Sequence, residues 1–169
     1  MNEAALAPGR RMLGLDNAQA ARLIALLLPL GLLGGALGSQ YLGGLHPCEM
    51  CYWQRWPHGA AILFALLSFT SPAANSRSRN FTLLAALAIA VSGIIGVYHA
   101  GVESGVFEGF TTCTSTAATS LQDILNTPLV RCDQVQWSLF GISMAGWNAI
   151  VSLGGAAVIL ILSVTGRRG

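Results

Sequence analysis

The sequence predicts an all-α integral membrane protein: a four-transmembrane-helix bundle with a short amphipathic helix in its second outer loop. Composition is the first indication, since 53% of the 169 residues are hydrophobic and 9% are charged, against about 25% charged in soluble domains. Long uncharged stretches near the roughly 20 residues needed to cross a bilayer are the second. The uneven placement of arginine is the third. A net charge of +2 is too small to indicate nucleic-acid binding.

Four stretches are expected to span the membrane, within a single membrane domain of residues 1–169. Their expected bounds are about 23–45, 51–70, 81–102 and 137–164, with outer loops at about 46–50 and 103–136. The second is the weakest, because its uncharged part begins only at Trp56 and Arg55 must extend to the interface. We expect no other ionisable residue inside the spans, and therefore no proton or ion path through them.

Arginine placement predicts that both termini are cytoplasmic. Seven arginines lie in the termini or between the second and third spans: Arg10, Arg11, Arg22, Arg77, Arg79, Arg167 and Arg168. Because cytoplasmic segments carry the excess of basic residues, the four cysteines are expected on the outer face. We expect no cleaved signal peptide, since the first apolar stretch is long enough to span.

Small residues predict where helices approach one another. Two overlapping GxxxG patterns lie in the first span and a glycine pair lies in the third: Gly31, Gly34, Gly35 and Gly38, then Gly93 and Gly96. Small residues let helix backbones come close in a membrane, so both sets are expected to mark packing. Asn148 in the fourth span is expected to form hydrogen bonds between helices.

The CEMC motif of residues 48–51 lies where the first outer loop enters the second span. Two thiols at this spacing can close a disulfide, and a helix N-terminus with a nearby cation favours the reactive thiolate. Arg55 is that cation, one turn beyond Cys51 on the same face. A CxxC is also half of a zinc site, but Cys113 and Cys132 form no second close pair. The spacing favours redox chemistry, and we expect no metal ion.

The long outer loop contains Cys113 and Cys132, in a compartment where disulfides persist. By themselves they fit a structural staple slightly better than a redox pair, and closing such a loop contributes about 3 kcal/mol. Apolar residues between them recur at near-helical spacing: Leu121, Ile124, Leu125 and Leu129. This pattern predicts a short amphipathic helix on the membrane surface.

His99 lies at the outer end of the third span, one turn before Glu103. A histidine at this depth is often only an interfacial residue. Because Arg55 also belongs at the outer end of a span, the two side chains could flank a pocket between helices at the bilayer surface. A lipid-soluble electron acceptor with carbonyl oxygens would need such hydrogen-bond donors.

Three segments together suggest a family: CEMCYWQR at 48–55, GVYHAGVESG at 96–105 and CDQVQWSLFGISMAGWN at 132–148. They resemble the disulfide bond formation protein B (DsbB) family of bacterial inner-membrane thiol oxidases. The resemblance implies a multi-pass protein of the bacterial cell inner membrane with periplasmic outer loops, surrounded by membrane lipid. It implies a thiol:quinone oxidoreductase that reoxidises a periplasmic DsbA-like thiol oxidase, a thioredoxin-like dithiol carrier. The electron acceptor would be ubiquinone or menaquinone.

The resemblance also implies a role for each cysteine. Cys113 would be attacked by the carrier's thiolate, with Cys132 as its partner in a loop disulfide. Cys48 would exchange with that loop pair, and Cys51 would face the quinone.

Two further residues take their roles from the resemblance in the same way. Arg55 would stabilise Cys51 and a quinone oxygen, and His99 would contribute to the ring pocket. Phe107 and Phe110 stand where the family often has a tryptophan and a proline, which bears on loop shape rather than on chemistry.

Three other interpretations stay open. A vitamin K epoxide reductase-like thiol oxidoreductase is also a membrane helix bundle with a CxxC, although its CxxC usually follows its other cysteines. A metal-binding membrane protein would use the cysteines as thiolate ligands. A structural membrane protein would keep two inert disulfides.

Overall fold

Four long helices dominate the computed structural model, which describes residues 11–12, 15–109 and 130–165. The helices are α1 (Asn17–Tyr41), α2 (Glu49–Ser68), α3 (Ser76–Glu103) and α4 (Met144–Thr165). Cys113, Phe110 and the expected amphipathic helix lie outside the described residues.

Two short antiparallel hairpins precede α1 and α4. In the first, β1 (Arg11–Met12) pairs with β2 (Leu15–Asp16), and in the second, β3 (Ser138–Leu139) pairs with β4 (Ile142–Ser143). Phe140 and Gly141 connect β3 to β4 with positive φ values of 53° and 77°, as tight hairpin turns require. The turn explains why α4 begins at Met144, later than the expected span boundary at 137.

The helices form a closed ring in which α1, α2, α3 and α4 each pack against the next, and α4 packs against α1. Small side chains fill the centre: Ala21, Ala25, Ala61, Ala65, Ala85, Ala86 and Ala156, with Ile89 and Ile159. Large apolar side chains such as Leu27, Leu87 and Ile161 face outward, each more than half exposed. A small-residue interior with an apolar exterior suits helix association in lipid.

Three of the described helices, α1, α3 and α4, are long and apolar enough to cross a membrane. The expectation of a fourth span is not confirmed, because α2 is 20 residues long but does not meet the same criterion. The expectation that the spans hold no other ionisable residue is wrong for the second stretch, since His58 lies within α2 and is 3% exposed.

The glycines of α3 allow α4 to come close, as expected. A Cβ added at Gly96 would meet Ala145 O at 3.0 Å and Ala149 N at 3.1 Å, and one at Gly93 would meet Leu153 Cγ at 2.8 Å. Backbone atoms at this distance cannot move aside as a flexible side chain can. Gly96 therefore sets the spacing between α3 and α4, and Gly93 makes room for the Leu153 side chain.

The glycines of α1 behave differently. Among the described residues, a Cβ added at any of the four positions of its GxxxG patterns would have no heavy atom within 4 Å beyond the backbone of α1 itself: Gly31, Gly34, Gly35 and Gly38. The expectation that these glycines mark helix packing is therefore wrong. Sequence spacing reveals a smooth helix face, but not whether that face meets a helix or open space.

We predict that Gly96→Ala lowers the free energy of unfolding in detergent by about 1–3 kcal/mol, the usual cost of overpacking. The matched control Gly34→Ala should change it by no more than about 1 kcal/mol, because the new methyl group meets open space. Chemical or thermal unfolding of the two purified variants provides the comparison. Equal destabilisation of both would contradict the packing described for α3 and α4.

Candidate functional site

The CxxC pair lies at the start of α2. Cys48 is the N-cap residue, with extended backbone at φ −77° and ψ 173°, and Cys51 lies in the first helical turn. Their Sγ atoms are 3.2 Å apart without a covalent bond. Because the first N–H groups of a helix have no intrahelical acceptor, negative charge is stabilised at this end.

The two thiols differ in environment. Cys48 is 2% exposed, whereas Cys51 is partly exposed. The pKa of the Cys48 thiol is raised, first by its side-chain hydrogen bond to Cys51 and second by burial. Cys48 therefore keeps its proton and donates it to the Cys51 sulfur, so that Cys51 is the better nucleophile of the pair.

Cys132 lies against Cys48, which spacing in the sequence could not show. The two belong to one buried cluster with Met50 and Val102, against which Cys51 also packs. Cys132 is 3% exposed and interacts with Cys48 through their side chains. The structure thus brings three of the four cysteines together.

A cavity of about 610 Å³ opens beside the cysteine cluster. Cys48, Cys51, Arg55 and His99 line it from α2 and α3, with Gly31 and Gly35 among the residues on the α1 side. Since no atom lies within 4 Å of a Cβ built on either glycine, their missing side chains leave room for a ligand. Arg55 and His99, the two residues expected to flank a pocket, therefore both line this cavity.

Arg55 is tied to α1. Its Nη1 donates to Gln40 Oε1 at 2.5 Å and its Nη2 donates to Ala36 O at 3.2 Å, while the guanidinium lies 5.0 Å from the centre of the Tyr52 ring. The Nε atom is buried and has no hydrogen-bond partner among the described residues. The guanidinium is thus a fixed cation on the cavity wall, whereas its Nε is enclosed by protein.

His99 reaches the cysteines from α3. Its Nε2 lies 3.4 Å from Cys48 Sγ and 3.8 Å from Glu103 Oε1, and its Nδ1 lies 2.8 Å from Gln54 Nε2. The imidazole is 2% exposed. His99 is thus a partner of the cysteine pair as well as part of the cavity wall.

Sequence reasoning missed two members of the site, Gln54 and His58, and found Asn148 only as an interhelical hydrogen bonder. That expectation is confirmed: Asn148 Nδ2 donates to Gln54 Oε1 at 2.7 Å, and His58 Nε2 lies 2.9 Å from Asn148 Oδ1. A signal existed, because Cys51, Gln54 and His58 recur at spacings of three and four along α2. Such a stripe predicts one polar helix face.

The metal-binding interpretation has some geometric support. The ligand atoms of Cys48, Cys51 and His99 all lie within 4.8 Å of one another. However, a histidine that binds a metal usually donates its other ring N–H to an acceptor, and His99 Nδ1 instead faces the Gln54 amide nitrogen. The donor set therefore favours thiol chemistry.

A helical membrane bundle with three clustered cysteines beside a ligand-sized cavity defines a membrane thiol–disulfide protein. The chain belongs to the family described as Disulfide bond formation protein DsbB, whose model matches residues 18–162. The resemblance found in the sequence is thereby confirmed. The protein is a multi-pass membrane oxidoreductase of disulfide bond formation.

Individual relatives agree with the family match. The chain is 30% identical to Disulfide bond formation protein B of Chromohalobacter salexigens, over 90% of this chain and 91% of that one. It is 28% identical to the protein of the same name from Aromatoleum aromaticum, over 82% and 87% of the two chains. It is 29% identical to Disulfide bond formation protein B 1 of Pseudomonas fluorescens, over 92% and 95%. No solved structure matches the chain significantly.

We predict that a small alkylating reagent at neutral pH modifies Cys51 of the reduced protein more than about tenfold faster than Cys48. A one-unit difference in pKa between thiols changes the thiolate fraction by that factor, and burial slows Cys48 further. Peptide mass spectrometry after timed quenching measures both rates. Equal rates, or faster modification of Cys48, would contradict the assignment of the proton to Cys48.

Proposed function

We propose that this chain is a thiol:quinone oxidoreductase of the bacterial inner membrane. It reoxidises a periplasmic DsbA-like dithiol carrier and passes the electrons to ubiquinone or menaquinone. One observation carries the proposal: the CxxC pair contacts Cys132 on one side and lines a ligand-sized cavity on the other. Such a pair can exchange with a protein disulfide and also give electrons to a bound ligand.

In this proposal α2 is the fourth span and both termini are cytoplasmic. The position of α2 in the closed ring between α1 and α3 supports its assignment as a span. In this position its polar side chains face the interior and not lipid. Its Gln54 and His58 are both nearly buried. The arginine distribution supports the orientation, since seven of nine arginines fall on one side of the proposed spans.

The thiol steps follow one another without an added oxidant inside the protein. The carrier's thiolate attacks the Cys113 sulfur of a Cys113–Cys132 disulfide and releases the Cys132 thiolate. Cys132 then attacks the Cys48 sulfur of a Cys48–Cys51 disulfide and releases the Cys51 thiolate. The carrier's second thiol closes its own disulfide and displaces Cys113. Cys113 then attacks the Cys132 sulfur of the Cys132–Cys48 disulfide, which restores the loop disulfide and leaves Cys48 and Cys51 reduced. Each step breaks one S–S bond and forms one, so two electrons pass from the carrier to the Cys48–Cys51 pair.

The cavity residues fit a quinone. Its volume of about 610 Å³ lies within the about 300–1,000 Å³ typical of small-molecule sites. Arg55 lines the cavity with a guanidinium whose N–H donors suit a carbonyl oxygen, and the glycine face of α1 leaves space for a flat ring. A bound quinone supplies a two-electron, two-proton acceptor. Arg55 would hold it and His99 would form part of the wall beside the ring, while Cys51 on the same wall gives up the electrons.

The direction of transfer is set by reduction potentials. A DsbA-type carrier has a potential of about −120 mV, far above the about −270 mV of thioredoxin. An acceptor that keeps it oxidised must therefore be more oxidising still, and respiratory quinones dissolved in the bilayer meet that need. The interpretation as two inert disulfides predicts no such transfer.

We predict that Cys113→Ser abolishes oxidation of the protein carrier but leaves quinone reduction by a small dithiol within about twofold of the parent. The carrier would meet the loop pair first, whereas a small dithiol reaches the CxxC pair directly. Quinone absorbance measured with each reductant tests this, and Cys51→Ser should abolish both activities. Equal loss of both activities in Cys113→Ser would show that the two pairs do not act in series.

We predict that Arg55→Ala raises the Michaelis constant for quinone roughly 10- to 150-fold, which corresponds to about 1.5–3 kcal/mol for one hydrogen bond to a charged group. Arg55→Lys should recover only part, because a point charge replaces the planar fork. Steady-state kinetics across quinone concentrations measures the effect.

Arg22→Ala is the matched control for Arg55→Ala. Arg22 also bonds a backbone carbonyl, Ser71 O at 3.4 Å, and lies over a ring, that of Phe69 at 4.6 Å, but it does not line the cavity. Its removal should leave the Michaelis constant unchanged. If Arg55→Ala also behaves like the parent, Arg55 only anchors α2 and the quinone site is misplaced.

A further inference from the structure

Two buried amides have orientations that the backbone dictates. Gln54 Nε2 lies 3.2 Å from Met50 O, and Asn148 Nδ2 lies 3.2 Å from Ser92 O. A backbone carbonyl only accepts hydrogen bonds, so each nearby amide atom must be the NH₂ group. The contact between Asn148 Nδ2 and Gln54 Oε1 at 2.7 Å agrees with both orientations. The Gln54 amide therefore cannot turn over without breaking two contacts.

The orientation of Gln54 determines the tautomer of His99. The second N–H of Gln54 Nε2 points to His99 Nδ1 at 2.8 Å, so Nδ1 must accept and carries no proton. A neutral imidazole with a bare Nδ1 has its proton on Nε2. That N–H faces Cys48 Sγ at 3.4 Å, with Glu103 Oε1 at 3.8 Å and the Cys132 backbone as a further hydrogen-bond partner of the ring. The cysteine pair thus meets a hydrogen-bond donor and not a lone pair.

Further hydrogen bonds from α2, α3 and α4 hold Gln54 and Asn148 in these orientations. Ser92 Oγ donates to Gln54 O at 2.9 Å, and Ser152 Oγ donates to Asn148 Oδ1 at 2.9 Å. His58 Nε2 lies 2.9 Å from both Asn148 Oδ1 and Ser92 Oγ. Residues of α2, α3 and α4 therefore all help to fix the Gln54 amide. A buried hydrogen-bond network of this kind favours one arrangement of its side chains.

We propose that Gln54, held by Asn148, is a positioning residue that makes His99 a hydrogen-bond donor to the Cys48 sulfur and thereby excludes metal ions from the reduced cysteine pair. The proposal rests on the proposed function only in treating Cys48 and Cys51 as a redox couple.

The donor has two chemical consequences. When the pair is reoxidised, the Cys48–Cys51 bond forms as Cys48 loses its proton and two electrons pass to the acceptor, a quinone in the proposed function; the His99 Nε2–H stabilises the charge that forms on the Cys48 sulfur in this step. The same proton occupies the nitrogen that a zinc or cadmium ion would need, and Gln54 offers no acceptor to Nδ1. A CxxC with a nearby histidine would otherwise be a soft-metal site. The glutamine thus selects redox chemistry over metal binding.

Two substitutions separate the tautomer from charge. Gln54→Glu provides an acceptor for Nδ1–H and leaves the Nε2 lone pair facing Cys48, while Gln54→Met removes the donor without adding charge. Ser68→Ala is the control, because Ser68 is a fully buried polar residue of the same helix whose hydroxyl donates to Ala65 O. All variants are made in the full-length protein with Cys113 and Cys132 replaced by serine.

The first readout is the equilibrium of the Cys48–Cys51 pair with a reference dithiol. We expect Gln54→Glu to shift it at least about tenfold towards the disulfide, which is about 30 mV for two electrons, and Gln54→Met to shift it less in the same direction. The second readout is cadmium binding to the reduced pair, followed by thiolate-to-metal absorbance. Gln54→Glu should bind cadmium at least about tenfold more tightly than the parent, and Ser68→Ala should match the parent in both.

A third readout needs no substitution at Gln54. Nitrogen-15 spectra of the parent's three histidines, with His99 assigned by its loss in His99→Gln, should show the proton on Nε2. A proton on Nδ1 would overturn the proposal even if the Gln54 variants fail to fold. So would parental values in both Gln54 variants, or a shift of the dithiol equilibrium in Gln54→Glu alone, which would indicate charge. None of these readouts uses quinone or carrier, so failed quinone reduction would contradict the proposed function only.

Discussion

Burying the polar face of α2 is the constraint on which the rest of the structure depends. Gln54 and His58 are nearly inaccessible, and unsatisfied polar groups are costly in a membrane interior. The neighbouring helices supply partners: Asn148 of α4 bonds Gln54 Oε1 and His58 Nε2, and Ser92 of α3 bonds the Gln54 backbone and His58 Nε2. Among the described residues only His58 Nδ1 of these two side chains has no partner. α2 must therefore face inward, and its close packing against α3 closes the ring.

The same inward face carries the chemistry. One turn towards the N-terminus from Gln54, the polar stripe reaches Cys51 and then Cys48, where the helix begins. His99 of α3 contacts Cys48 at the end of this stripe, and Arg55 bonds the Ala36 carbonyl and the Gln40 side chain of α1. The cysteines thus lie between a protein-facing cluster and an open cavity. A single helix face links structural hydrogen bonds, thiol reactivity and ligand space.

Hydropathy and motif spacing predicted α1, α3, α4 and the CxxC at a helix start, because these depend on local composition. They failed for features that depend on which other part of the chain packs against a segment. The glycines of α1 face open space although they match a packing pattern, and the apolar stretch before Met144 forms a hairpin because Phe140 and Gly141 turn the chain. The contact of Cys132 with Cys48 joins segments distant in sequence. His58 could have been predicted from the sequence, because it continues the polar stripe of Cys51 and Gln54 by one more helical turn.

The proposed function requires that electrons pass from a protein dithiol through this chain to a quinone. The most direct measurement mixes the purified protein, a reduced thioredoxin-like carrier and ubiquinone or menaquinone, and follows quinone absorbance while the carrier's thiols are counted. The account predicts that one quinone is reduced for each carrier dithiol oxidised, and that neither reaction proceeds when the protein is omitted. Carrier oxidation at an unchanged rate without quinone, or quinone that stays oxidised in the full mixture, would contradict it.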